Sequence, residues 1–389
     1  MTELRITDVK TYIIPPSFAK DSSKWCDNKT FLFVKLETNK GIQGWGESYV
    51  LRDRERCIEM YIKELKRYLM DFDPSMIKYF QNWAYNAFAE GRPGIDLFCA
   101  ISGIEIAMWD IMGKYFQTPV YNLLGGAVHE KLRLYANLSS HDYKSPEDVA
   151  KHAKEMVDSG FSAVKMYPFD FGEDDEAIVE RVAKVREAIG DKTDLMVDIW
   201  KQAEPERAVR IAKRIESLNI IWYEEPIPSD NLEVLAEIRS KISLPIVAGE
   251  SIWGKRAYSN MFKMKAVDII NADISVVGGV LELKEIAAMA EANYIQIGPH
   301  NCNSTTVSTS ATVHAACTMP NFNLLEVFPS YWEIGDKICK NQLRMKDGYY
   351  YLPEDPGLGL EMNEDYLASV EYKARPRQSK VYCQGNTAQ

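Results

Sequence analysis

The chain has 389 residues, 26% of them charged and 46% hydrophobic, with a net charge of −10. That length supports a sizeable core split between a large and a smaller domain, and the acidic balance argues against nucleic acid or an anionic membrane as partner. The seven cysteines include no C-x-x-C pair, which argues against a disulfide or zinc framework; the start, MTELRITDVK, lacks an apolar signal core and no run approaches membrane-spanning length, so cytoplasmic residence is expected.

From Leu4 to Glu47 the pattern is antiparallel: ITDVKTYII, then TFLFVKLETNKGIQGWGES with a turn at Asn39-Lys40-Gly41. Between these strands lies a loop, Pro15 to Asn28, carrying Lys20, Lys24, Trp25 and Cys26. A long loop in a compact domain is either a lid or a disordered stretch. Helical stretches are expected at 52–70, 74–88 and 98–116. The organisation changes near Gly125 to Lys131.

Beyond Leu132, strand-like and helical runs alternate. The strands end near Leu138, Tyr167, Trp200, Pro226, Ser251, Ser275, His300 and Phe328, which is the count for a (β/α)₈-type barrel. Ser145-Pro146-Glu147-Asp148 reads as N-cap, N1 proline and acidic first turn, and Gly160 ends that helix. The expected divisions are 1–128, 129–335 and a segment 336–389 that returns to the first domain. The glycines of VVGGVLEL read as a turn after the sixth strand, not as a phosphate cradle.

Three of the strand ends carry carboxylates: Asp198, Glu224 and Glu250. Spacings of about 26 residues are what one strand, one helix and two short loops occupy. Parallel strands of a closed barrel bring such residues together at one rim, the rim where active sites of this architecture sit. A lone strand-end carboxylate is usually a helix cap or a solvated loop residue, so the clustering is the evidence. Three hard oxygen ligands favour Mg²⁺ over zinc or copper. Residues two apart on a strand share a face, so Lys165 and Tyr167 point to the axis, as do Asp198 and Trp200, while Val164 and Met166 face the helices. Of the five histidines only His300 ends a barrel strand. It suits a general base oriented by Asp273, one strand earlier, and Glu326 lies at the same depth on the last strand.

These residues resemble the enolase superfamily, and within it the mandelate racemase subgroup. The likeness runs from ITDVKTYII and GWGE through AISGIEIAMWDIMGK and PVYNLLGG to WYEEP, AGES, NADISVVGG and PGLGLEM. It implies an α/β fold: a modified TIM barrel, (β/α)₇β, with an α+β capping domain formed by the N-terminal region and the C-terminal tail. It also implies Mg²⁺-assisted removal of the proton α to a carboxylate, with Asp198, Glu224 and Glu250 as metal ligands, Asp273 and His300 as the dyad, and Glu326 beside the substrate carboxylate. Trp25, Glu47 and Trp200 are the candidate substrate contacts. Relatives are commonly homo-oligomers, and the same is expected here.

Two departures shape the expected reaction. Family members with a second base carry Lys-x-Lys where this chain has Lys165-Met166-Tyr167, and an ordinary tyrosine pKa of about 10 suits neutral base chemistry poorly. A racemase is therefore disfavoured unless Lys165 and the metal lower the Tyr167 pKa. Some sugar-acid dehydratases place a histidine general acid where this chain has Trp200. The expected activity is dehydration of an aldonate or aldarate to a 2-keto-3-deoxy acid, a carbon–oxygen lyase reaction. Cycloisomerisation or epimerisation of a sugar acid or lactone, and sugar-acid binding without turnover, are the alternatives.

Overall fold

The computed structural model describes residues 3–15, 29–51, 53–138, 143, 145–169, 174–302 and 304–373. Trp25, with residues 16–28 of its loop, and His141 lie outside them. Strands β1 (Ile6–Ile14), β2 (Phe31–Thr38) and β3 (Gln43–Ser48) form an antiparallel sheet in the order β1-β2-β3. The sheet packs on the helix Ile95–Tyr115, which is buried almost all round, from Leu97 to Gly113. Gly46 on β3 is required there, because a Cβ at this position would run into the Gly103 carbonyl of that helix. The GWGE and AISGIEIAMWD runs are the two sides of this close contact.

Eight parallel strands follow: β4 (Lys131–Asn137), β5 (Ala163–Met166), β6 (Asp194–Asp198), β7 (Ile220–Glu224), β8 (Ile246–Ala248), β9 (Ile269–Ile270), β10 (Gln296–Ile297) and β11 (Leu325–Val327). Their order in the sheet is β10-β9-β8-β7-β6-β5-β4-β11. The barrel closes through residues just before β11, where Ile297 N donates to Asn321 O at 3.0 Å and Asn323 N to Ile297 O at 2.8 Å. Helices cross between successive strands, with the seventh, Thr306–Ala316, leading into β11. The architecture is the expected (β/α)₇β barrel with a capping domain. No helix among the described residues is long and apolar enough to cross a membrane.

Local signals explain the connections. Pro146–Asp158 starts on a capping box in which Ser145 and Asp148 exchange side-chain and backbone bonds, and Gly160 leaves the helix at φ +110°. The glycines of VVGG form a turn between the helices Ile274–Val277 and Val280–Ala292, at φ +121° for Gly278 and +97° for Gly279. The C-terminal segment is more divided than expected. β12 (Tyr349–Tyr351) pairs antiparallel with barrel strand β4, while Leu358 N donates to Asp110 on the capping helix at 2.9 Å and Lys35 of β2 binds Glu364 at 2.6 Å. The tail spans both units because the first residues of β4, Lys131 to Arg133, extend beyond the stretches paired with β11 and β5 and can take another strand.

Two buried capping-domain glutamates hold the units together. Glu47 accepts Thr305 N at 2.8 Å, Thr305 Oγ1 at 2.9 Å and Ser308 N at 2.9 Å, at the start of the helix Thr306–Ala316. Glu105 accepts Val280 N at 2.7 Å and Leu281 N at 2.9 Å, at the start of Val280–Ala292. Each carboxylate satisfies helix N–H groups that have no partner within the helix. Burial pushes Glu47 up to about 7 and Glu105 up to about 8.

Candidate active site

The barrel lumen is built in two layers by strand alternation. The lower layer, Tyr135, Ala163, Met196, Trp222, Val247, Ile269 and Leu324, is an apolar plug. One step further along several strands the same face becomes polar: Asn137, Lys165, Asp198, Glu224 and Glu326 lie two residues beyond plug members. Val164 and Met166 pack instead in the core behind the strands. The plug excludes water from below, and the polar layer is left at the strand ends where the barrel opens.

Lys165 is the hub of this layer. Its fully buried ammonium lies 2.6 Å from Glu224 Oε1, 2.8 Å from Glu326 Oε1 and 3.4 Å from Asp198 Oδ2. Burial alone would strip its proton, but Glu224 and Glu326 hold the ammonium well above the ordinary lysine range. Register puts Asp198 opposite Glu224 on neighbouring strands. Glu250 follows two residues after β8, where its Oε2 comes within 3.3 Å of His300 Nε2. Asp273 accepts from His300 Nδ1 at 2.7 Å and from Ser275 N at 2.8 Å, so one oxygen fixes the ring and the other caps a short helix. His300 Nε2 therefore faces the carboxylates. Burial opposes charge on the ring, yet Glu250 and Asp273 hold it positive, well above the usual imidazole range. Glu326 accepts Asn137 Nδ2 at 2.7 Å and Asn301 N at 2.9 Å.

The other candidates fall elsewhere. Tyr167 accepts from Asn137 Nδ2 at 3.1 Å, and burial with the nearby Asp198 charge raises its pKa well above the usual phenol range. The lowering that would make it a base is absent. Glu47, expected to touch substrate, has both oxygens engaged at the seam between the domains. Trp200 does not share the Asp198 face: β6 ends at Asp198, and Trp200 sits in a turn at φ +46° with half its surface exposed. The two-residue alternation has ended before it is reached.

Four contributors, Asn137 among them, go beyond the expected set. Lys201 reaches back from the same turn to pair with Glu250 Oε1 and lies 3.8 Å from Glu225 Oε2. Asn271 donates to Glu224 Oε1 at 3.1 Å. The Tyr49 ring, from the capping domain, is 6.2 Å from the His300 ring. Asn137 and Asn271 follow the same two-residue alternation as Lys165 and Asp273, which is the signal that marks them. Lys201 had no such signal.

The donor set fits a hard divalent cation. Burial raises Asp198 to about 6 and Glu224 to about 8, and Glu224 Oε2 is buried with no hydrogen-bond partner among the described residues. Negative charge here exceeds what the protein's own cations neutralise. Glu250 is the exception: burial would raise it too, but Lys201 and His300 hold it down at about 2. As the side chains stand, no three acidic, histidine or cysteine groups among the described residues converge on one point. Lys165 and Lys201 occupy oxygens that ligation would need. The second glutamate of the WYEEP run turns out of the lumen, with Glu225 accepting Gly249 N at 2.8 Å and Ser229 Oγ at 3.3 Å.

Comparison with known proteins places this architecture. Residues 1–125 match the mandelate racemase / muconate lactonizing enzyme N-terminal domain, and residues 148–366 match the enolase C-terminal domain-like family. The chain belongs to the mandelate racemase/muconate lactonizing enzyme family of the enolase superfamily. Among its relatives, D-galactonate dehydratase of Pectobacterium atrosepticum is 32% identical over 377 residues, covering 94% of each chain. D-xylonate dehydratase of Haloferax volcanii is 30% identical over 385 residues, covering 93% of this chain and 88% of the other. In structure this family member is similar to the 3,6-anhydro-D-galactonate cycloisomerase of Zobellia galactanivorans, with a TM-score of 0.84, 27% identity, and coverage of 94% of this chain and 98% of that one.

Proposed function

We propose that the protein is a Mg²⁺-dependent acid-sugar dehydratase, acting on an aldonate or aldarate. The observation that carries the reading is the His300–Asp273 pair, whose Nε2 lies 3.3 Å from Glu250 and 4.0 Å from Glu326, with Glu326 shared by the buried Lys165 that also binds Asp198 and Glu224. Asp198, Glu224 and Glu250 would hold the cation. Bound there, Mg²⁺ supplies the electrostatic stabilisation of the negative charge that builds on the substrate carboxylate as the α-proton leaves.

The chain's own residues do the rest. Lys165, kept protonated by Glu224 and Glu326, donates to the substrate carboxylate. His300 Nε2, once neutral, takes the α-proton, while Asp273 keeps the other ring nitrogen protonated and the ring in place. The electron pair of the broken Cα–H bond forms the Cα–Cβ double bond, and the β-hydroxyl leaves with the proton returned by His300. Water and an enol result, and the enol tautomerises to the 2-keto-3-deoxy acid. A single proton-moving imidazole suffices for this elimination. Epimerisation would need a second group on the opposite face that both gives and takes a proton, and Lys165 and Tyr167 each hold theirs too tightly to complete that cycle.

The likeness to the cycloisomerase supports a second outcome of the same half-reaction, in which the departing oxygen belongs to an anhydro ring. A panel of D-galactonate, D-gluconate, D-xylonate and galactarate, incubated with Mg²⁺ and assayed for 2-keto acid, tests the choice. Dehydration gives a 2-keto-3-deoxy acid from at least one of them. Epimers alone, or turnover only of an anhydro-sugar acid, would sink the dehydratase reading.

A further inference from the structure

Lys201 has no part in the reaction as written, yet the backbone is bent to deliver it. After β6 ends, Trp200 and Lys201 are left-handed in succession, at φ +46° and +65°. Neither is glycine, so both are strained. Hydrogen bonds hold the turn in place: Ile199 N to Glu224 O at 2.9 Å, Trp200 N to Asp198 Oδ1 at 2.8 Å, and Lys201 N to Glu225 O at 2.7 Å. A lysine on a surface turn ordinarily extends into water. This one folds inward, its side chain 19% exposed, to pair with Glu250 Oε1.

The three candidate ligands are therefore unequal. Glu224 has an oxygen without a partner among the described residues, and Asp198 shares Oδ2 with Lys165 at 3.4 Å. Glu250 has one oxygen on Lys201 and the other 3.3 Å from His300 Nε2. A divalent cation using Glu250 would stand against the Lys201 ammonium unless that ammonium moved. A place for it lies close by. Glu225 Oε2 is 3.8 Å from Lys201 Nζ, on a carboxylate that faces away from the lumen.

We propose that Lys201 is a tethered counter-cation of this site. It neutralises Glu250 while the site holds no divalent cation, and it swings to Glu225 when one binds, so that it sets the affinity for the cation. The proposal rests on the Mg²⁺ reading of the site.

The test is Mg²⁺ titration by calorimetry of full-length protein stripped with EDTA, together with thermal midpoints in EDTA. Lys201→Met should bind Mg²⁺ at least tenfold more tightly than wild type and yet melt at a lower temperature in EDTA. A merely structural lysine would move both readouts the same way. Glu225→Gln should weaken Mg²⁺ binding several-fold in the wild-type background and have no effect beside Lys201→Met, because its role is to receive the lysine; a general field effect would persist in the double variant. Lys201→Gln, which keeps most of the side-chain stem, should repeat the result if the methionine variant folds poorly. Unchanged or weaker Mg²⁺ binding by both Lys201 variants overturns the proposal alone. Wild-type protein that binds no Mg²⁺ overturns it together with the cofactor reading.

Discussion

Two regions of this molecule bury carboxylates, and they do so in opposite ways. At the seam between the domains, Glu47 and Glu105 face backbone N–H groups at helix starts, and both oxygens of each are taken. At the barrel mouth, Asp198, Glu224 and Glu250 face side-chain cations, and one Glu224 oxygen has no partner among the described residues. Fixed dipoles complete the seam, and nothing further needs to bind there. Side-chain ammonium groups only partly balance the mouth, which leaves an oxygen for a further cation. Burial alone does not separate structure from function here; the kind of partner does.

Breaking the mouth should cost activity and not the fold. Glu224→Gln removes a carboxylate that burial already raises to about 8, so dehydration should fall by about three orders of magnitude or more with no drop in the thermal midpoint measured in EDTA. His300→Asn, which keeps a polar side chain, should lose about 10²- to 10⁴-fold in the rate of α-proton removal with Mg²⁺ binding intact by calorimetry.

Breaking the seam should do the reverse. Glu47→Ala leaves three donors without their acceptor, at a cost of about 2 to 4 kcal/mol, read by urea unfolding, while the kcat of the folded fraction stays within a few-fold of wild type. Gly279→Ala should cost about 1 to 3 kcal/mol, since a Cβ there meets the Glu105 carboxylate and the residue sits at φ +97°. The mildest effect is on pH dependence. Glu47 and Glu105 have native pKa values near 7 and 8, above the unfolded value, so the native state binds more protons. Their contribution is full below about pH 4.5 and is lost as pH rises through about 7 to 8. The thermal midpoint should fall between pH 6 and 8.5, less steeply in Glu105→Gln.

The same contrast explains what the sequence could show. Strand ends recurring at the βα interval expose Asp198, Glu224 and Glu250, and two-residue alternation places Lys165 with them, because both signals are local and periodic. The His300–Asp273 pair is readable for the same reason. The seam role of Glu47 is not legible in the sequence because its partners, Thr305 and Ser308, are 258 and 261 residues away and nothing local marks them. Trp200 and Lys201 escape because left-handed backbone at non-glycine residues leaves no trace in composition. β9 and β10 have two residues each, too short to show any period of their own, so only the recurring βα interval marks them.

The most direct test of the mouth as a cation-dependent proton-abstraction site is proton NMR of an accepted aldonate in D₂O, following loss of the α-proton signal. Wild-type protein with Mg²⁺ should consume that signal and form a 2-keto acid deuterated at C3, whereas wild type in EDTA and His300→Asn with Mg²⁺ should leave it almost unchanged. Undiminished loss of the α-proton in EDTA, or in His300→Asn, would contradict the account.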